Sequence, residues 1–262
     1  MAEVRAPDGV RLHVETDGTG DPVSVFAHGL TNACTELAAF TPMAPGTAVR
    51  FCFRGHGHSE VSPAGTYGFA DLAGDLRAVA DAFGATRAVG TSMGAGAITR
   101  VLGEEPDRFE RVVLLLPAAL DGRLPEGSIA EFDRTADLLE TLPLDRAIEQ
   151  ILIQSGRERS YEVAPWLREL DLALWHDLNP VGVARAIRQV VREAAIADRE
   201  LLRKVSAPVL LICREGDSLH PAELGGVLAD LFPNAELIML GSEAELVAAI
   251  PQLVQRVAAF LV

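Results

Sequence analysis

Ala88-Val89-Gly90-Thr91-Ser92-Met93-Gly94-Ala95-Gly96 sets a serine between two glycines, where a short apolar strand gives way to a run of small residues. The pattern G-x-S-x-G suits a very tight strand-to-helix bend, because glycines on either side let strand and helix crowd together without side-chain clashes. The N–H of Met93 then opens a helix and points at any negative charge that develops beside Ser92. Glycine is common enough that the five residues alone say little. Their surroundings say more: a strand precedes them, and residues 95–102 read as a helix of small side chains.

Working outward, the same alternation repeats. Residues 10–16 read as a strand after the turn Pro7-Asp8-Gly9, and Val23-Ser24-Val25-Phe26-Ala27 is a buried-type strand that ends at His28-Gly29. Residues 48–53 form another, closing on Arg54-Gly55-His56-Gly57-His58-Ser59. Leu72, Leu76, Val79, Ala80 and Phe83 recur at helical spacing before Gly84. Strands follow at 111–116, at 208–213 and at 236–240, and residues 251–261 read as a closing amphipathic helix. Strand–helix alternation of this kind implies a mostly parallel sheet covered on both faces. Residues 121–203 differ: they are rich in Leu, Ala, Glu and Arg, contain Trp166 and Trp175, and read as a helical insertion. The expected division is a core of residues 1–120 and 204–262 with the insertion between.

The 262 residues carry a formal net charge of −14, which argues against nucleic acid and against anionic lipid as partners. Nearly half of them (49%) are apolar, enough to build a substantial core. No apolar run approaches the ~20 residues needed to cross a bilayer. The first eighteen residues show no basic region followed by an apolar one, so a cytoplasmic location is expected. Cys34, Cys52 and Cys213 are scattered and suggest neither a disulfide framework nor a metal site from their spacing. There is no HExxH, no phosphate loop and no G-x-G-x-x-G, so no metal or cofactor is expected.

Taken in order along nearly the whole chain, these marks resemble the α/β-hydrolase superfamily. The resemblance implies an eight-stranded-type, mostly parallel sheet flanked by helices, with residues 121–203 as a helical cap. His28-Gly29-Leu30 looks like the turn whose backbone supplies an oxyanion donor, here the N–H of Leu30, with Met93 as the second; His28 and Gly29 belong to the same expected substrate-binding loop. Residues 54–59 look like the family's D-x-R-G-x-G-x-S turn, with Cys52 in place of its aspartate. Ser92 matches the nucleophile and Asp217 the acid.

The third member of the family's triad is missing from its accustomed place. That histidine follows the last strand, but here Gly241-Ser242-Glu243-Ala244-Glu245 follows, and no histidine occurs after His220. Counting from Asp217 lands near Glu245, and counting back from Pro251 lands near Ala244. A glutamate is a poor base, with a reference pKa of about 4.3 against about 6.5 for histidine, and beside Asp217 it would add like-charge repulsion. The reading is therefore a degraded triad. Among the other histidines His220 is the best substitute, ahead of His176 in the expected cap; His28, His56 and His58 belong to turns, and His13 to an early strand. Three functions stay open: a serine hydrolase of a small carboxylic ester, thioester or related acyl compound; a non-hydrolytic enzyme on the same fold, such as a cyclase, lyase or isomerase; and a non-catalytic small-molecule-binding protein.

Overall fold

The computed structural model describes residues 4–155, 161–162 and 165–262. Residues 156–160 and 163–164, inside the expected insertion, lie outside the described residues.

The apolar runs form a seven-stranded sheet in the order β3-β5-β4-β6-β7-β8-β9: β3 (Val14–Gly18), β4 (Val23–Ala27), β5 (Thr47–Phe51), β6 (Arg87–Thr91), β7 (Arg111–Leu115), β8 (Val209–Arg214) and β9 (Ala235–Leu240). Only β3 runs antiparallel, against β5; the other pairings are parallel. The sheet is thus mostly parallel, as expected, with seven strands among the described residues. The chain breaks at His13, so that β2 (Arg11–Leu12) pairs with β1 (Val4–Arg5) in a separate two-stranded sheet.

Strand residues alternate between two cores. Val25, Ala88 and Val112 face α1 (Phe69–Phe83) and α2 (Met93–Glu104), while Phe26, Val89 and Val113 face the closing helix. That closing helix, α8 (Glu243–Phe260), begins eight residues before Pro251, where the sequence suggested a start. Ser242 accepts the Glu245 N–H and Glu245 accepts the Gly241 N–H, so the true beginning is a capped one and the proline is carried inside.

Between β7 and β8 lie α3 (Glu126–Thr141), α4 (Leu144–Gln154), α5 (Pro165–His176) and α6 (Pro180–Val190). Arg188 on α6 pairs with Asp133, Asp137 and Glu140 on α3. After β8 comes α7 (Ala222–Leu231). Arg54 is buried and forks onto Asp75 and Asp8, which ties the turn after β5 to α1 and to the N-terminal hairpin. No described helix is long and apolar enough to cross a membrane.

Candidate active site

The parallel strands all end at one edge, the place where sheets of this type gather their ligands. Among the described residues three non-glycine side chains have positive φ, namely Thr31 after β4, Ser92 after β6 and Leu116 after β7, and all three stand at this edge. Backbone strain of that kind persists only where the surroundings enforce it.

At Ser92 the enforcement is visible. Its φ of 50° and ψ of −110° turn the chain sharply from β6 into α2. A Cβ placed on Gly90 would come within 2.7 Å of the Gly94 backbone, and one on Gly94 within 2.2 Å of the Ala27 carbonyl oxygen. Gly96 leaves room for the Phe69 ring, which a Cβ would meet at 2.5 Å. The glycines therefore serve contact as well as bending. Met93 is the first residue of α2, so its N–H belongs to the helix-end donors that have no intrahelical carbonyl.

The loop after β8 brings the other two groups. Asp217 Oδ1 accepts the N–H of Leu219 (3.0 Å) and of His220 (3.1 Å), which wraps the loop around its own carboxylate. Pro221 follows as the N-cap residue of α7. The imidazole consequently lies against Asp217, with Nδ1 2.9 Å from Oδ2, and its Nε2 is 2.9 Å from Ser92 Oγ. No histidine follows β9, but His220, the best substitute in the sequence, stands beside Ser92 three residues after Asp217. His176, the other substitute weighed, lies at the end of α5 near Asp145.

A carboxylate can only accept, so the bond to Asp217 places a proton on Nδ1 and leaves Nε2 free to accept from the serine hydroxyl. Burial pulls the Asp217 pKa upward, but the bonds from His220, the Leu219 N–H and the charge of Arg214 outweigh it and hold the carboxyl below its ordinary value. Arg214, which the sequence reading missed, sits 2.9 Å from Asp217 Oδ2. Glu245 is not beside Asp217; it is exposed and occupied in capping α8.

Ser92, Met93, Leu30 and His220 share one cavity with about 370 Å³ of space counted out to its mouth. Its walls are mainly apolar: Phe69 from α1, Ala118 after β7, Leu124 and Phe132 from the helical segment, Val190 from α6 and Leu219. Ser128 on α3 also touches the acid loop, its Oγ 3.4 Å from the Ser218 carbonyl. Trp175 packs on the core and lines a neighbouring cavity, whereas Trp166 is 63% exposed.

His28 and Gly29 were expected to meet substrate, but the structure turns them inward. His28 is buried, its Nε2 accepts the Phe53 N–H, and its Nδ1 donates to the Gly29 carbonyl. Desolvation, with His56 alongside, holds it neutral by pulling its pKa well below the ordinary value. The Gly29 N–H donates to Glu36 Oε2 at 2.6 Å, and Asn32 Nδ2 donates to Glu36 Oε1 at 2.8 Å. Glu36 was not singled out from the sequence; its only signal is an acid within an otherwise small and apolar loop. Burial pushes its carboxyl up to about 7 against the pull of the Gly29 bond.

Comparison with known proteins agrees with this architecture. The family model described as alpha/beta hydrolase fold matches residues 25–246. A hydrolase from Pseudomonas aeruginosa PA01 is similar at 25% identity and TM-score 0.80, over 99% of this chain and 97% of that one. The enol-lactonase from Burkholderia xenovorans LB400 is similar at 22% identity and TM-score 0.79, over 99% of each chain. An esterase from Exiguobacterium antarcticum matches at 18% identity and TM-score 0.76, over 97% of this chain and 98% of that one. The tight serine bend, the strand order and a family match over most of the chain lead to one conclusion: this protein belongs to the α/β-hydrolase fold family.

Proposed function

We propose that this chain is a serine hydrolase of a small carboxylic ester, thioester or related acyl compound. Ser92 is the nucleophile, His220 the general base and acid, and Asp217 the group that holds the imidazole. The observation that carries this reading is the pair of 2.9 Å contacts made by His220, one to each partner. Ser92 Oγ attacks the carbonyl carbon as His220 Nε2 takes its proton. The carbonyl oxygen becomes an oxyanion that meets the N–H groups of Leu30 and Met93. Collapse of the adduct expels the alcohol or thiol, which leaves with the proton from Nε2. Water, deprotonated by the same nitrogen, then releases the acid and restores Ser92.

The apolar walls favour a modest acyl group, and residues 121–203 act as the cap that shapes its pocket. Simple binding gives no reason for an imidazole of the correct tautomer to bridge the serine and an ionised carboxylate, so it is not favoured. Hydrolysis of p-nitrophenyl esters of increasing acyl length tests the proposal. Short acyl chains should turn over fastest, and Ser92→Ala should abolish turnover. A lack of turnover across ester, thioester and lactone substrates, or activity surviving in Ser92→Ala, would refute it.

A further inference from the structure

Away from the serine, side chains from two separate segments converge at the edge of the sheet. His13 precedes β3, Glu15 lies on it, and Cys34 comes from the loop after β4. One nitrogen, oxygen or sulfur from each lies within 4.8 Å of the others. We propose that these three form a binding site for a zinc-type divalent cation.

The donor set points to that class of ion. A thiolate, an imidazole and a carboxylate together suit zinc, whereas magnesium and calcium call for oxygen alone. Zn–S and Zn–N bonds of about 2.3 and 2.1 Å place tetrahedral ligands roughly 3.6 Å apart. His13 Nε2 and Glu15 Oε1 are 3.1 Å apart, and all three ligand atoms lie within 4.8 Å of one another. Cys34 is buried, while the His13 and Glu15 side chains are 21% and 36% exposed, so the site has a fixed floor and an open mouth.

The neighbours suit a cation as well. Glu15 Oε2 is engaged by Arg50 NH1 at 2.8 Å, which orients the carboxylate and leaves Oε1 to the site. Arg50 also pairs with Asp17 at 3.1 Å, so Glu15, Asp17 and Arg50 together carry one net negative charge. Binding must displace the Cys34 thiol proton to solvent, against the Cys52 contact and the burial that hold it well above its ordinary range; the charge then becomes two, matching the ion. The Cys34 N–H donates to Cys52 Sγ at 3.4 Å, which places a second sulfur behind the first. The His58 ring lies edge-on to His13 at 5.1 Å and pairs with Asp177. A water or the Cys52 sulfur completes four-coordination. An ion here would bind β3 to the loop that carries Leu30.

The test uses the full chain without a polyhistidine tag, stripped by chelator and titrated with Co²⁺, then competed with Zn²⁺. The expected result is one equivalent of Co²⁺ bound with thiolate-to-metal absorption in the near ultraviolet, displaced by Zn²⁺, and a higher Tm with either ion. Cys34→Ser should remove the band, and His13→Gln and Glu15→Gln should each weaken binding at least ~10-fold. Cys213→Ser and Ser92→Ala should bind as the parent does, which separates this site from the proposed catalysis. Absence of the band, its survival in Cys34→Ser, or its loss in Cys213→Ser would overturn the proposal. If Cys34→Ser fails to fold, unchanged affinity in both His13→Gln and Glu15→Gln overturns it equally.

Discussion

Replacing Asp217 by Asn keeps the shape of the acid loop and changes one thing, the direction of a hydrogen bond. The N–H groups of Leu219 and His220 both point at Oδ1, so the asparagine oxygen stays there. Its NH₂ then occupies the position of Oδ2, facing Arg214 and His220 Nδ1, each 2.9 Å away in the parent. A donor facing Nδ1 requires that nitrogen to accept, and the imidazole proton moves to Nε2. Nε2 then has a proton to give to Ser92 and no lone pair with which to take one. Loss of the base in the wrong tautomer costs on the order of 10⁴ in kcat. Stability should fall much less, by about 1–2 kcal/mol, because only the partly exposed Arg214 contact becomes donor against donor. The assay is kcat on a p-nitrophenyl ester, with Tm measured in parallel. A kcat within tenfold of the parent, in a variant that is folded and stable, would refute the tautomer argument.

Two further outcomes follow from neighbouring groups. Gly94→Ala puts a methyl 2.2 Å from the Ala27 carbonyl oxygen, so the bend must open; about 1–3 kcal/mol of stability and most of the activity should be lost, and retention of both by urea melts and ester assay would contradict the packing. Glu36 holds its proton more tightly when folded, titrating at about 7 against an ordinary 4.5. Its contribution is therefore complete below about pH 4.5 and is lost as pH rises through about 7, by at most about 3 kcal/mol for that gap of roughly 2.5 pH units. In Glu36→Gln the Asn32 amide can turn so that its unpartnered Oδ1 accepts the new NH₂. Urea midpoints between pH 5 and 8 should slope in the parent and flatten in this variant; equal slopes would remove Glu36 as the cause.

The serine bend was legible because its physics is local. Close approach of β6 and α2 demands glycine at positions 90 and 94, and that demand is written in five consecutive residues. The parallel sheet was legible for a similar reason, as buried strands must be continuous apolar runs. The place of His220 was legible only in part, as the best substitute among the remaining histidines. Its contact with Ser92 spans 128 positions, and its aim depends on how Asp217 folds the loop around its own carboxylate. Expectation looked after β9 for the base because the family's histidine usually stands there, yet only an imidazole at the serine matters, whichever loop delivers it. Arg214 and Glu36 were missed because surface-type residues acquire meaning only from what the fold sets against them. The start of α8 was misjudged from a short signal, a single proline at 251.

The most direct measurement is the rate at which a fluorophosphonate labels Ser92, followed by intact mass in the parent and in His220→Ala. The alanine leaves Asp217 bonded to Arg214 and two N–H groups, so the loop should persist. Rapid, stoichiometric labelling of the parent and a rate slower by roughly 10³-fold or more in the variant are the results this account predicts. Labelling of His220→Ala at the parent rate, or an inert Ser92 in the parent, would contradict it.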